Sequence, residues 1–405
     1  MPICQQEDLS KLSMKTVKKV TKTTTRKQLS DTDNLLLWIK AGGRCEFPGC
    51  NRVLYEDQLT VEPLNLAEKA HIVANSKNGP RGDEKQSPLL AKDISNFMLL
   101  CKDCHKRIDN SPENYPREDL EHYKRMHEER IRIVTGIEQD KRTEAIIFTA
   151  PIGGENFKVD YNEVRYAILQ NGRYPSNGND YTDLSISTEK EDSDDKFWER
   201  ADDDLISGFA RKLSSLSKHN QVNHFSVFAL APIPLLIRLG TLLGEKTPCE
   251  VHHAFHRQRM AGNRWCWGGI DDELGFKIKY RKYGKGNMLA INLSLSGQID
   301  DGQITEVLGN DVQIWTLTCR TPKYDLIESK PQIEAFKAIF RELLSKINES
   351  NNDNQEVNLF PAIPNSVAVE LGRLIPSKIS SKISIYDKNI KRLPVFFKTI
   401  TLNAQ

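Results

Sequence analysis

The sequence predicts a mixed α/β protein of several domains, with a small metal-held module in front and a larger α/β part behind. Three observations lead there. Two cysteine pairs, Cys45/Cys50 in RCEFPGC and Cys101/Cys104 in LCKDC, bracket a turn-rich segment with the spacing of a tetrahedral zinc site. From about residue 222, apolar strands alternate with amphipathic helices, the pattern of mostly parallel sheets. Finally, 405 residues leave room for two or three cores.

The elements follow in order. Residues 1–30 form a basic tail: Lys11, Lys15, Lys18, Lys19, Lys22, Arg26 and Lys27 have no acid among them, so the tail is expected to be solvated, adding salt-dependent affinity if it meets DNA. DTDNLLLWIKAGG reads as a helix, capped by Asp31 or Asp33, striped with Leu35, Leu36 and Ile39, and ended by Gly42 and Gly43. Residues 44–110 are expected to be irregular. Residues 117–135 predict a helix with Leu120, Tyr123, His127, Ile131 and Val134 on one face, closing a front domain at 31–137. The polar break EQDKR sets a linker at 138–144, and the α/β part at 145–405 opens with the strand AIIFTA. Its acidic segment 189–204 is expected to be an exposed loop or helix start. Strand–helix units begin at VNHFSVFALAPIPLLIRLGTLL, NMLAINLSLSGQI, VQIWTLTC and VNLFPAIPNSVAVELGRLI, with a helix at QIEAFKAIFRELLSKI and a strand at KISIYD.

Composition excludes some classes. The net charge of +2 is too small to name a partner, and 38% hydrophobic with 28% charged residues suits globular folds. The most apolar stretch, from Phe225, is broken by Pro232, Pro234 and Arg238, so no membrane span is expected. No apolar signal-peptide core is evident. The other cysteines, Cys4, Cys249, Cys266 and Cys319, show no disulfide framework, so a reduced cytosolic compartment is expected.

The bracketed residues suggest hydrolysis. His71, at the end of a β-like run, offers a neutral imidazole to deprotonate water, and Asn96 is expected to orient that ring through its carbonyl. His105 and Asp109, four apart on a helical turn, can hold a divalent ion against a phosphate. A zinc finger that binds DNA without cutting is the rival reading.

Residues 44–109 resemble an HNH endonuclease of the ββα-metal class, with His71, Asn96 and His105 at the three signature positions. That resemblance implies His71 as general base, Asn96 as its orienter and a catalytic divalent ion, usually magnesium, on His105, beside the structural zinc that the spacing of Cys45, Cys50, Cys101 and Cys104 predicts. Double-stranded DNA would be the substrate. Where many members carry a metal-binding Asp or His directly before the first His, this chain has Ala70. Asp109 is the best replacement, and Glu68 the weaker one because strand alternation puts it opposite His71. Lys77 and Arg81 in NSKNGPRGD are candidate phosphate contacts.

Behind residue 145, no catalytic constellation stands out, and His252, His253 and His256 lack the pattern of a metal site. Trp265 and Trp267 are expected to be core for at least one ring, or else a base-stacking platform with Arg257, Arg259 and Arg264 nearby. Ser294, Ser296 and Gly297 lie where a strand turns into a loop, a place for backbone amides to meet an anion. FALAPIPLLIRLGTLLG, INLSLSGQI and LFPAIPNSVAVELGR followed by ISIYD resemble the SAVED sensor domain. The resemblance implies two fused CARF-like Rossmann-type units that bind a cyclic di- or trinucleotide, and activation through homo-oligomer assembly. It further implies a role in bacterial cyclic-oligonucleotide-based anti-phage signalling (CBASS). The alternatives are a restriction nuclease that reads modified DNA, and a zinc-bearing, ligand-controlled DNA-binding protein without catalysis.

Overall fold

The computed structural model describes residues 29–176, 181–188, 190–219, 223–255, 264–267, 269, 271–350, 356–375 and 382–402. The chain divides into two compact units, Met1–Gly136 and Ile137–Gln405.

In the front unit, helix α1 (Asp31–Lys40) is capped by Ser30, whose hydroxyl accepts from the Asp33 amide, instead of by either predicted aspartate. Its inward side is Leu37 and Ala41, one turn apart, while Leu35, Leu36 and Ile39 face outward. Gly42 and Gly43, both at positive φ, end it. The expected irregular stretch holds more order than its turns suggested. Strands β1 (Ala67–His71) and β2 (Phe97–Cys101) pair antiparallel, with His71 opposite Phe97 and Ala67 opposite Cys101. Helix α2 (Gln86–Leu90) lies between them in sequence, and helix α3 (Lys102–Asn110) leaves the end of β2 directly. Helix α4 (Arg117–Thr135) closes the unit by burying Leu120 and His127, and His127 Nε2 donates to the Ala41 carbonyl at 2.9 Å. Val134, expected on that face, is exposed.

The rear unit holds two sheets. In the first, β3 (Arg142–Thr149), β4 (Tyr174–Pro175), β5 (Thr182–Asp183), β6 (Phe225–Leu230) and β7 (Cys249–His252) are all parallel, in the order β4-β3-β6-β7 with β5 also on β3. The second comprises β8 (Lys277–Lys282), β9 (Met288–Ser294), β10 (Val312–Thr318), β11 (Val357–Ala362), β12 (Ile383–Lys388) and β13 (Phe396–Leu402). Its order is β13-β12-β11-β9-β10-β8, parallel inside and antiparallel at both edges. The helices are α5 (Tyr161–Gln170), α6 (Asp195–His219), α7 (Ile233–Leu243), α8 (Asp301–Leu308), α9 (Lys330–Glu349) and α10 (Asn365–Leu374). Part of the acidic segment is the start of α6. Phe197, Trp198, Ala201 and Leu205 are buried along it, so its acids mark only the outer face.

One apolar cluster joins the sheets, from Ile146 and Val227 to Leu293, Leu317 and Ile385. At its centre α7 and α10 cross. A Cβ on Gly240 would run into the Val369 carbonyl and stand 2.8 Å from Gly372 Cα, and one on Gly372 would run into the Ile237 carbonyl. These contacts are reciprocal. Laying β6 on β11 residue for residue puts Pro232 on Pro364, Ile237 on Val369, Leu239 on Leu371 and Gly240 on Gly372. Two equivalent β–α–β passages, β6–α7–β7 and β11–α10–β12, thus meet across a local dyad.

Candidate functional site

The front unit gathers its chemistry around the β1–β2 pair and α3. Cys45 and Cys50 sit on the knuckle after α1, and Cys101 and Cys104 span the turn from β2 into α3. Their four sulfurs lie within 4.8 Å of one another. A zinc held at about 2.3 Å from each sulfur needs edges of about 3.8 Å, and Cys50 Sγ and Cys101 Sγ are already 3.9 Å apart. The Cys101 amide donates to Cys45 Sγ at 3.3 Å, the contact a thiolate wants. Burial pushes the Cys45 thiol up to about 12 and raises Cys104 as well. Burial also acts on Cys101, but hydrogen bonds from Cys104 and its neighbours prevail and hold it low. A divalent cation removes that burial penalty at once by taking all four as thiolates, so the donor set fits zinc. Glu46 beside them is buried, pushed up to about 7 by that burial, and takes the Leu99 amide at 2.5 Å, fastening the knuckle to β2.

Next to this cluster is a cleft of about 750 Å³, lined by Glu68, His71, Phe97, His105 and Asp109 among others. His71, the last residue of β1, rests its ring on Phe97 with centroids 4.2 Å apart. On α3, His105 Nδ1 meets Glu68 Oε2 at 2.7 Å and Nε2 meets Asp109 Oδ2 at 3.2 Å. The ranking of Asp109 over Glu68 therefore loses its ground. Alternation does set Glu68 on the strand face of Ala70, but α3 brings His105 to that same side. Asp109 foremost, then Glu68, hold the imidazole above its ordinary value against partial burial. Burial raises Asp109, yet His105 and Arg81 outweigh it and keep the carboxyl low.

Among the described residues, only the four thiols form a group of donor atoms already converged for a metal. Glu68, His105 and Asp109 offer two carboxylates and an imidazole, a set that fits a hard divalent ion. Here they engage one another through both ring nitrogens, so a cation would replace at least one of those contacts.

Asn96 acts differently from expectation. Its side chain is buried; Oδ1 accepts from the Val73 amide at 2.8 Å, and Nδ2 donates to the Val73 carbonyl at 2.9 Å and the Leu90 carbonyl at 3.2 Å. It pins the chain two residues past His71 instead of gripping the ring. Arg81, expected at a phosphate, is turned inward. Its guanidinium donates to the carbonyls of Ile72 (2.6 Å), Ile108 (2.7 Å) and His71 (3.4 Å), and to Asp109 (3.1 Å). One side chain thereby ties the exit of β1 to the end of α3. Nothing in NGPRGD signals that burial. Lys77 remains at the surface, paired with Glu84 at 2.9 Å.

In the rear unit, Trp265 is fully buried, edge-on to Phe228 at 5.2 Å, which removes it as a stacking platform. Trp267 is half-buried against Phe255 and His253. Arg257 and Arg259 lie outside the described residues, as does His256; Arg264 is half-buried. The Ser294 hydroxyl is spent on Asn292 Oδ1 and the Ile299 amide, and the Ser296 amide on the Ala362 carbonyl, so neither awaits an anion. Gly297 is half-exposed with open space at its Cβ position. Where the two β–α–β passages meet, His253 Nδ1 is 2.9 Å from Ser366 Oγ, and Asn365 donates to the Ala229 carbonyl at 3.1 Å. Burial lowers His253 to about 4 and His252 to about 3, so both stay neutral near pH 7. No described helix is long and apolar enough to cross a membrane.

Residues 205–402 match the family model SAVED, "SMODS-associated and fused to various effectors sensor domain". The matched region runs from within α6 to the end of β13. No curated protein matches the chain. Among solved structures it is similar to the Acinetobacter baumannii Cap4 SAVED/CARF-domain containing receptor, at 13% identity and a TM-score of 0.39, covering 80% of this chain and 66% of that one. The same receptor with the cyclic trinucleotide 3'3'3'-cAAA gives 13% and 0.40, covering 80% and 67%. The Moraxella osloensis Cap4 receptor gives 9% and 0.35, covering 80% and 70%. The chain thus spans just under two thirds of the first receptor's length.

Proposed function

We propose, on the premise that residues 205–402 are a SAVED sensor domain, that this chain is a switched nuclease. A cyclic di- or trinucleotide bound by the rear unit controls a metal-dependent endonuclease in the front unit, which cuts double-stranded DNA in bacterial anti-phage defence. The observation that supports it most is the single cleft shared by His71, Glu68, His105 and Asp109, beside four clustered thiols. His71 is the general base, and Asn96 sets it indirectly, through the backbone that follows. His105, with Asp109 and Glu68, holds a divalent ion, magnesium being the usual one, which offsets charge on the leaving oxygen. Zinc on Cys45, Cys50, Cys101 and Cys104 keeps the module folded. The ligand drives the switch by binding an assembled homo-oligomer more tightly than the free chain. The cytoplasm, where DNA and messenger both occur, is the place of action.

The test is plasmid cleavage with magnesium across a panel of cyclic oligonucleotides, with sedimentation run in parallel. Cleavage is expected with one ligand only, alongside an increase in size. His71→Ala is expected to lower the rate by about 10²–10⁴ while zinc content and fold persist. DNA retention without nicking under every ligand would identify a non-catalytic binder. Cutting that follows DNA modification, with no soluble activator, would identify the restriction reading instead.

A further inference from the structure

We propose that the rear unit carries a DNA-gripping edge of its own, formed by strand β8 and the turn after it, which takes the phosphate backbone of duplex DNA. For the identity of that polyanion the proposal rests on the nuclease reading. Residues 277–285, KIKYRKYGK, contain Lys277, Lys279, Arg281, Lys282 and Lys285 with no acid among them. β8 is an outer strand, antiparallel to β10, and all five cations are exposed or half-exposed. Alternation places Lys277, Lys279 and Arg281 on one face, roughly 6.8 Å apart at about 3.4 Å per residue. The directly opposed pair Tyr280 and Trp315, centroids 4.6 Å apart, braces the strand from its other face.

A basic edge also has a bland purpose, since a lysine there blocks unwanted strand pairing. The opposite edge of the same sheet shows how little that purpose needs. β13 carries one lysine, Lys398, and it is paired with Glu356 at 3.3 Å. On β8 and its turn, Lys277, Lys279, Lys282 and Lys285 make no ion pair with any described carboxylate. Arg281 meets Asp301 at 3.1 Å yet remains 69% exposed. Three nearby acids are engaged elsewhere as well: Asp301 takes the Tyr283 hydroxyl, Asp311 takes Gly286 and Asn287, and Asp271 takes Ser329, while the exposed Asp272 and Glu273 ahead of the strand pair with none of these cations. Charge therefore exceeds what edge protection requires. Lysines on a flexible stem contact phosphates as point charges, giving sequence-independent, salt-dependent grip.

The experiment measures duplex binding by fluorescence anisotropy between 50 and 200 mM salt, using full-length His71→Ala protein so that no cutting interferes. Against that parent, K277E/K279E/R281E is expected to weaken binding and to flatten the slope of log K against log salt by about 2.7, at about 0.9 per lost phosphate contact. Charge reversal keeps the edge guarded, and the milder K279Q, expected to remove about 0.9 of slope, covers the case of a triple variant that fails to fold. Unchanged affinity and slope in a folded triple variant would overturn the proposal. Wild-type protein that binds through this edge but never nicks under any activator would sink the nuclease reading and leave this one standing.

Discussion

In the front unit, four sulfurs within 4.8 Å stand beside a small core built on Leu37, Leu54, Met98, Leu100, Ile108 and Leu120. In the rear unit, one apolar cluster runs through both sheets, and two helices meet backbone to backbone. The first converges four donor atoms fit for a single ion next to its candidate chemistry. The second spreads stability over dozens of side chains, none of which has to be reactive. A region organised the first way advertises itself through the spacing of rare residues. One organised the second way shows its fold and conceals its ligand.

The largest effect should come from the sulfurs. With zinc on the four sulfurs, as proposed, chelation or Cys101→Ser disrupts binding worth roughly 10–16 kcal/mol in comparable structural sites. The front unit is then expected to unfold while the rear unit keeps its own calorimetric transition. If both transitions persist unchanged, the contrast between the units is wrong.

A smaller effect is expected at the helix crossing. Gly372→Ala sets a methyl against the Ile237 carbonyl, where backbone has to give way, and should lower rear-unit stability by about 3 kcal/mol. A urea midpoint for that transition reads it, with the front transition unmoved as the control. Arg81→Ala should lower front-unit stability by about 2 kcal/mol, because three carbonyls and Asp109 lose a buried donor. Arg81→Lys is not expected to restore it, since one ammonium cannot span that fork. Cleavage, where present, should fall with both variants. Least of all, Lys77→Ala breaks only an exposed pair and should shift stability by less than about 0.5 kcal/mol. A large shift there would mean the surface loop carries load that its geometry does not show.

How much of this was legible depended on which interactions were local. α4 and α9 follow from helical periodicity, and the cysteine pairs from spacing. β1 was read only as a short β-like run at His71 and β2 only as an apolar run after Asn96, because each is five residues long and EKAH carries little apolar alternation. Glu68 was misjudged by reference to His71, when the residue it meets arrives on a helix more than thirty positions later. Asn96 and Arg81 spend their side chains on carbonyls and amides of Val73, Leu90, Ile72 and Ile108, and backbone partners leave no trace in a sequence. Trp265, flanked by Arg264 and Cys266, lies in the core edge-on to Phe228, a partner distant in sequence. The inner repeat was expected only through the resemblance to two fused CARF-like units, because its identities at matched offset are few: Phe228 with Phe360, Pro232 with Pro364, Leu239 with Leu371, Gly240 with Gly372 and Leu242 with Leu374.

The paired glycines have a mechanical consequence. Shear motions slide packed helices past one another in small steps. Where main chains touch directly, as at Gly240 and Gly372, such a slide would run into backbone, so α7 and α10 are fixed against each other at that point. A displacement of either helix at that point has to carry the other with it.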